Sequence, residues 1–326
     1  MVITVTRRVS GLVAATAIAL IGVGAQAVPA AAPVSGALYG ITFPATLVTI
    51  DPASGGQTQV AQLASIGPNP FVAALAADSR SSALVALVGT CTSCPGAKGG
   101  GPVFFQLAKV DPATGSIQAS PVLQRPLAFS IAVDPATHQV WGVTDCSTCT
   151  SQTVVRIDPS SGVETDVATL PVSSSFDTLV ALAPRSDTLY LAIPVVGTYQ
   201  LFTVSTTTGI VNAGPQLGQG ITGMAVDTSN DALFVLRNGV SQSVERIDPD
   251  TGGQTLLASF SGFGLSFATV DPRSHTLFAA GLVLIQTLHE IEIVSVNDRN
   301  GAMSVGQPIN AIVGPLAFQR LHGDVN

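Results

Sequence analysis

Charged side chains are scarce in this chain of 326 residues. Lys and Arg number 13 and Asp and Glu number 20, so charged residues make up 10% of the sequence, whereas average soluble domains contain roughly 25%. Intrinsic disorder is excluded, because it requires low hydrophobicity and high charge, and 46% of these residues are hydrophobic. The excess of acidic over basic residues also argues against nucleic-acid binding, which needs a basic patch.

A long hydrophobic run is absent after residue 27. The best apolar stretch there, residues 277–285, is far shorter than the roughly 20 residues of a transmembrane helix. Earlier, Arg7 and Arg8 precede an apolar run at 11–23 and an Ala-Gln-Ala site at 25–27. This order predicts a signal peptide over residues 1–27, for the general or the twin-arginine export route. We expect a secreted, periplasmic or other cell-envelope protein with no transmembrane segment in the mature chain.

One motif recurs along the chain: an apolar residue, Asp-Pro, any residue, Ser or Thr, and Gly. Intact copies begin at Ile50, Val110, Ile157 and Ile247, and degenerate copies begin at Val204 and Val296. The copies lie 43 to 60 residues apart, and periods of this length are typical of repeat architectures. Asp and Pro favour turns and Gly accepts a positive φ, so the motif predicts a tight turn between strands. Calcium binding by these aspartates is the alternative interpretation.

Each repeat also contains an apolar run that ends in Asp or Pro, followed by a polar turn and a second apolar run. Residues 221–260 show the whole unit, with predicted strands at 221–227, 232–237, 243–247 and 254–259. Helical periodicity is absent after residue 27. Four strands per repeat, repeated six times, predict an all-β fold, a six-bladed β-propeller of four-stranded antiparallel blades. A β-helix is the alternative fold, although its repeats are shorter.

The two ends of the chain are expected to complete one blade together. Residues 37–63 supply three strands, and the matching strand lies around residues 312–319. A C-terminal strand that joins the three N-terminal strands closes the ring and removes an exposed sheet edge. We therefore predict a linker at 28–36, a single propeller domain at 37–322 and a tail at 323–326.

The turn sequences resemble those of a known superfamily. Residues 39–41 (Tyr-Gly-Ile) with 47–55 (Leu-Val-Thr-Ile-Asp-Pro-Ala-Ser-Gly), and residues 131–137 with 140–143 (Val-Trp-Gly-Val), are similar to secreted bacterial propellers of the streptogramin-lyase-like, NHL-like and YVTN-like kind. The resemblance covers nearly all of the chain after residue 27 and implies the propeller fold. Turn motifs specify a fold and not an activity.

Ligands are expected on the face where the central channel opens between two sets of loops, those from second to third strands and those from one blade to the next. We call this the mouth face, and the opposite side the hairpin face. Polar residues are few on the mouth face, and the predicted binding residues are Asn69, Arg125, Asp145, Asp177, Arg237 and Asn238. These loops contain no Glu or His, and the four histidines (His138, His275, His289 and His322) are expected to be solvated elsewhere.

The four cysteines form two C-x-x-C pairs, Cys91 with Cys94 and Cys146 with Cys149. Both pairs follow a predicted second strand, so they occupy equivalent mouth-face loops in adjacent blades. In an exported protein we expect two disulfides, with local pairing favoured. A zinc site of four thiolates and a redox-active pair are the alternatives. Intact mass under non-reducing conditions would separate a disulfide from a metal site.

These observations favour a non-enzymatic, monomeric binding scaffold without a cofactor, whose partner is a protein or a small molecule at the loop-rich mouth face. The alternative is a hydrolase or lyase at the channel mouth. General acid–base chemistry needs a titratable group at the reacting atom, which leaves Asp145 and Asp177 as candidates, with Arg125 as an anion clamp.

Overall fold

The strands lie in six four-stranded sheets in a computed structural model that describes residues 36–43, 45–91, 103–145, 150–172, 177–239, 241–261, 263–285, 288–309 and 313–320. The predicted signal peptide and C-terminal tail lie outside these residues and stay predictions. Within the described ranges, no helix has the length and apolar character needed to cross a membrane.

The sheets follow one another along the chain, and every strand pairs antiparallel with its neighbour. Blade 2 contains β4 (Phe71–Asp78), β5 (Ala83–Cys91), β6 (Val103–Val110) and β7 (Ile117–Ala119). Blade 3 contains β8 (Ala132–Val133), β9 (Val140–Val143), β10 (Gln152–Ile157) and β11 (Glu164–Leu170). Blade 4 contains β12 (Leu179–Ala183), β13 (Thr188–Val195), β14 (Thr198–Ser205) and β15 (Val211–Gly218).

Blade 5 contains β16 (Ile221–Asp227), β17 (Ala232–Arg237), β18 (Gln242–Ile247) and β19 (Gln254–Phe260). Its bounds agree with the predicted strands to within one residue. Blade 6 contains β20 (Phe263–Asp271), β21 (Thr276–Ile285), β22 (Leu288–Asn297) and β23 (Met303–Val305).

Blade 1 is assembled from both ends of the chain. It contains β1 (Gly36–Thr42), β2 (Thr46–Ile50), β3 (Gln57–Gln62) and the C-terminal β24 (Val313–Arg320), and a short 3₁₀ turn follows at Leu63–Ile66. The sheet order is β24-β1-β2-β3, with Leu38 opposite Phe318. The predicted six-bladed ring with its shared closing blade is therefore confirmed.

Hydrophobic cores lie between neighbouring blades. One cluster of buried residues fills each of the six blade junctions, including the junction of blades 6 and 1 around Leu38, Phe278 and Phe318. Trp141, which is 2% exposed, packs in the junction of blades 3 and 4. Because burying one large apolar side chain stabilises a fold by about 1.5–3 kcal/mol, the packing of blade on blade holds the ring together.

The recurring Asp-Pro motif forms the turn between third and fourth strands, as predicted. In the turn that begins at Asp111, the Oδ1 atom accepts a hydrogen bond from Ala113 N at 2.9 Å, and Gly115 N donates to Asp111 O at 2.8 Å. Asp51, Asp158 and Asp248 make equivalent bonds. These carboxylates therefore serve the turn, and the turns place the loops of the opposite face around the channel.

Candidate functional site

The mouth face gathers the second-to-third-strand loops and the blade-to-blade loops. Strand direction places all six predicted binding residues on it: Asn69, Arg125 and Asp177 in blade-to-blade loops, and Asp145, Arg237 and Asn238 at or just beyond the ends of second strands. The structure fixes the partners of most of these side chains.

Arg125 binds two carboxylates of the neighbouring blade. Its Nε lies 2.7 Å from Glu164 Oε2, and its Nη2 lies 2.5 Å from Asp166 Oδ1. Burial would lower the pKa of Arg125, but the hydrogen bonds to Asp166 and Glu164 outweigh this effect and raise the pKa. The guanidinium charge is thus paired with two carboxylates of the protein itself. Glu164 lies on β11 and not in a loop, which is why an inventory of loop residues misses it.

Arg237 is also held internally. Its guanidinium lies 3.1 Å from Glu245 Oε2 and donates to the backbone carbonyls of Gln219 at 2.5 Å and Leu217 at 2.7 Å. These bonds fasten the loop that connects blades 4 and 5 to the end of β17. Arg125 and Arg237, both predicted binding residues, therefore anchor the structure through these bonds, and ligand binding by them stays a prediction.

The two asparagines bond to backbone groups. Asn238 Oδ1 accepts from Leu265 N at 2.9 Å, and its Nδ2 donates to Leu265 O at 3.0 Å, so the side chain joins blade 5 to blade 6. Asn69 has a φ of 44° and donates from Nδ2 to Cys91 O at 3.2 Å. That bond holds the loop between blades 1 and 2 against the end of β5.

The candidate catalytic carboxylates have different surroundings. Asp145 is 8% exposed, its Oδ1 has no hydrogen-bond partner, and burial raises its pKa. Asp177 is exposed and lies near Tyr199, whose pKa is raised by burial and then by the charge of Asp177. Arg125, the third member of the predicted set, is bound to Glu164 and Asp166.

Among the cysteines, Cys91 is the last residue of β5 and is buried. Cys94, Cys146 and Cys149 lie outside the described residues. The disulfide prediction, with its zinc and redox alternatives, therefore stays a prediction.

Exposed phenylalanines are the feature of the mouth face that sequence analysis missed. Phe43 is 81% exposed, and Phe104, Phe129 and Phe267 are 36–42% exposed. Phe43 and Phe129 lie in mouth-face loops, Phe104 lies at the start of β6 on that side, and Phe267 lies midway along β20 and lines the mouth-side cavity. No other Phe side chain among the described residues is exposed. Phe129 also makes an edge-to-face contact with Phe71, with ring centroids 5.9 Å apart. The four residues occupy different positions in their repeats, so no shared sequence signal could have grouped them.

The channel is apolar at both ends. A cavity of about 130 Å³ opens on the mouth side beside Phe129 and Phe267, and one of about 200 Å³ opens on the hairpin side. Within the described part of the chain, neither is lined by an ionisable side chain. Two hydroxyls at the mouth are already bonded between blades, since Ser130 Oγ accepts from Val180 N and Thr222 Oγ1 donates to Leu265 O.

Two histidines on the hairpin face pair with buried aspartates of the preceding blade; the His138 side chain is still 43% exposed, whereas that of His275 is largely buried at 12%. His138 Nδ1 lies 2.6 Å from Asp78 Oδ2, and His275 Nδ1 lies 2.6 Å from Asp227 Oδ2. The pKa of Asp298, close to His275, is raised to about 6. The causes are burial, then a hydrogen bond to Asp227 and the charge of Asp227. The side chain of His289 and all of His322 lie outside the described residues.

Comparisons with known proteins support the fold. No family model matches the chain, and no curated protein matches it. Many solved structures do, among them TolB from Acinetobacter baumannii, at 14% identity and a TM-score of 0.64 over 88% of this chain and 67% of that chain. A chain of the nidogen/laminin complex matches at 9% identity and a TM-score of 0.65, over 87% of this chain and 98% of that chain.

A candidate 6-phosphogluconolactonase from Bacteroides uniformis matches at 10% identity and a TM-score of 0.56, over 87% of this chain and 99% of that chain. At these identities the likeness shows the fold alone. The chain has the six-bladed β-propeller fold, and its function must be argued from its own residues.

Proposed function

We propose that this protein is an exported, non-enzymatic binding scaffold whose mouth face docks an apolar surface of a partner protein. The observation that carries the proposal is the concentration of exposed phenylalanines on that one face. Exposed apolar patches mark interaction sites, and aromatic residues are enriched at the energetic centres of protein interfaces.

The paired charges of the same face support this proposal. Arg125 and Arg237 are bound to carboxylates of the protein itself, which leaves these two cations less available to attract an ionic substrate. The centre of a protein interface is likewise poor in charged residues. The hydrolase or lyase alternative lacks a titratable group in the cavity at the channel mouth, because its described lining contains no ionisable side chain.

Export and disulfide bonding complete the proposal. A signal peptide at residues 1–27 would deliver the chain to an oxidising compartment, where disulfides in the loops after β5 and β9 can persist. The two loops follow β5 and β9, second strands that end on the mouth face, and Phe104 comes directly after the first loop in sequence. Cross-linking would stiffen the surface that is presented to the partner. The neighbour solved in the nidogen/laminin complex is a propeller within a protein assembly, which is consistent with this use of the fold.

The test compares pull-downs of the mature protein from its own cell envelope and medium. The variant carries Phe43→Ser and Phe104→Ser. The matched control carries Leu256→Ser and Met303→Ser, which replace similarly exposed apolar residues, 61% and 47%, on the outer strands β19 and β23.

We expect one partner to be recovered by the unsubstituted protein and the control and reduced at least tenfold with the phenylalanine variant. This expectation follows because truncating one hot-spot side chain costs about 2 kcal/mol or more of binding free energy. Equal recovery by both variants would show that the mouth face is not the binding surface.

A further inference from the structure

Three metal-ligand side chains meet between blades 5 and 6 on the hairpin face. Asp227 ends β16, His275 lies in the turn after β20, and Asp298 follows β22. One ligand atom of each lies within 4.8 Å of the others. The His275 Nδ1 atom is 2.6 Å from Asp227 Oδ2 and 3.8 Å from Asp298 Oδ2, and the three side chains are 12%, 0% and 4% exposed.

Asp298 points an unused oxygen into this cluster. Its Oδ2 atom is buried and has no hydrogen-bond partner. A buried polar atom without a partner costs free energy, and more when the group is charged. Two buried carboxylates share one imidazole here, and the Arg299 guanidinium reaches that imidazole only at its far nitrogen, Nε2. A bound cation would supply the missing partner for Oδ2.

Asp298 occupies a position at which blade 6 departs from the repeat motif. The corresponding residue is proline in the four intact motifs, namely Pro52, Pro112, Pro159 and Pro249. Asp298 N donates to His275 O at 2.8 Å, a bond that proline cannot make. In blade 3 the analogous His138–Asp78 pair has the same 2.6 Å separation, but Pro159 stands at the position of Asp298. Only the turn of blade 6 adds a third ligand to a histidine–aspartate pair among the described residues.

We propose that Asp227, His275 and Asp298 bind a divalent transition-metal ion of the zinc class. One imidazole nitrogen and two carboxylates form a donor set that suits zinc, whereas calcium and magnesium prefer oxygen ligands alone. Bonds of about 2.1 Å in tetrahedral geometry place ligand atoms ~3.4 Å apart, a value between the two separations observed. A water molecule would occupy the fourth position, and the ion would join blade 5 to blade 6.

The positive charge of Arg299 would repel the bound ion. Its guanidinium contacts His275 Nε2, so the ring nitrogen that faces Asp227 carries the proton. When Nδ1 binds a metal, that proton moves to Nε2, and Arg299 must turn away into solvent. Removing this cation should therefore strengthen metal binding, which is a result that a purely structural histidine–aspartate pair does not give.

The experiment titrates zinc into the full chain after treatment with a chelator, by isothermal calorimetry and by thermal unfolding. The first variants are His275→Gln and Asp298→Thr. Threonine occupies this position in blade 4, where Thr206 N donates to Asp187 O at 2.9 Å, so Asp298→Thr keeps the backbone bond and removes only the ligand. The control is His138→Gln, which disrupts the analogous pair of blade 3.

We expect one zinc ion to bind, to raise the unfolding temperature and to be preferred over calcium and magnesium. Affinity should fall at least tenfold in His275→Gln and Asp298→Thr, stay unchanged in His138→Gln and rise in Arg299→Ala. Absence of zinc binding would overturn the proposal. So would binding that Asp298→Thr leaves unchanged, because the ion would then be held elsewhere, for example by the cysteines.

Discussion

Gly115 shows what the last position of the repeat motif must satisfy. Its φ is +70°, in the left-handed region that favours glycine. An added Cβ would also lie 2.4 Å from the carbonyl oxygen of Val60, which belongs to blade 1. The glycine is therefore required both by its own turn and by the approach of the neighbouring blade, and the motif encodes a contact between repeats as well as a turn.

The two requirements can be separated by comparing Gly115→Ala with Gly162→Ala. Gly162 has a similar φ of +68°, but its added Cβ would lie 3.2 Å from the nearest atom. The left-handed conformation costs about 1–2 kcal/mol in both variants. Displacing the Val60 carbonyl should bring the total for Gly115→Ala to about 2–4 kcal/mol. Urea unfolding measures both free energies, and equal losses would refute the inter-blade contribution.

Residue identity alone could not have revealed the bonding of Arg125 or Arg237. Each looks like a solvent-facing cation in a loop, yet its partners Glu164 and Glu245 lie on strands eight or more positions away in sequence. Pairings of this kind depend on how strand ends align in three dimensions. The cluster of Asp227, His275 and Asp298 was hidden for the same reason, because it joins turns from two blades.

At the scale of single elements, ionised aspartates stabilise the turns between third and fourth strands. Hydrogen bonds, chiefly those donated by backbone amides, lower the pKa of Asp51, Asp111 and Asp158. The pKa of Asp248 is also lowered, and its largest cause is the hydrogen bond from the Thr251 side chain. A carboxyl group whose pKa is lower in the folded than in the unfolded state stabilises the fold at pH values above its unfolded pKa, which is about 3.9 for Asp. This contribution is lost as the pH falls through the folded value.

We therefore expect the unfolding temperature to drop below about pH 4 and the drop to be shallower in a variant with these four aspartates changed to asparagine. Asparagine keeps the oxygen that accepts the turn's hydrogen bonds but does not titrate. Circular dichroism melts at a series of pH values measure the slope, and Asp177→Asn, outside these turns, controls for the loss of a charge. Identical slopes in the fourfold variant and the unsubstituted chain would contradict the prediction.

The turns between third and fourth strands explain why the fold could be predicted from the sequence. Turn chemistry is local: Asp, Pro and Gly specify a turn within six residues, and the predicted strand 232–237 agrees with the observed Ala232–Arg237. The mouth face depends on loops whose sequences do not repeat. Phe43, Phe104, Phe129 and Phe267 share no motif, so their common face became visible only once the blades were arranged in a ring.

For the whole molecule, closure of the ring depends on β24. This strand pairs with β1 and contributes Leu316 and Phe318 to the core between blades 6 and 1. As the first strand of blade 1, β24 also bonds to blade 6, because Phe318 N donates to Thr269 Oγ1 at 3.0 Å. The strand β24 thus completes the sheet of blade 1, the hydrophobic core between blades 6 and 1, and the hydrogen bonding across that junction.

Truncation after residue 309 should consequently destabilise the entire domain and not blade 1 alone. It exposes the edge of β1 together with the apolar side chains that β24 covers, and an exposed strand edge promotes association. Size-exclusion chromatography and thermal unfolding should show aggregation and loss of the cooperative transition. Truncation after residue 320, which keeps all 24 strands, is the control. A monomeric, cooperatively unfolding product of the shorter truncation would contradict the prediction.

The pairing of β1 with β24 also has a consequence for the order of events during synthesis. Leu38 is synthesised before the five other blades, and its partner Phe318 is synthesised after them. Until that point the first three strands of the nascent chain lack their fourth, and the ring cannot close before translation has passed residue 320. During that interval the nascent chain has an open edge, and a chaperone or an export machinery has its opportunity to engage an unlocked polypeptide.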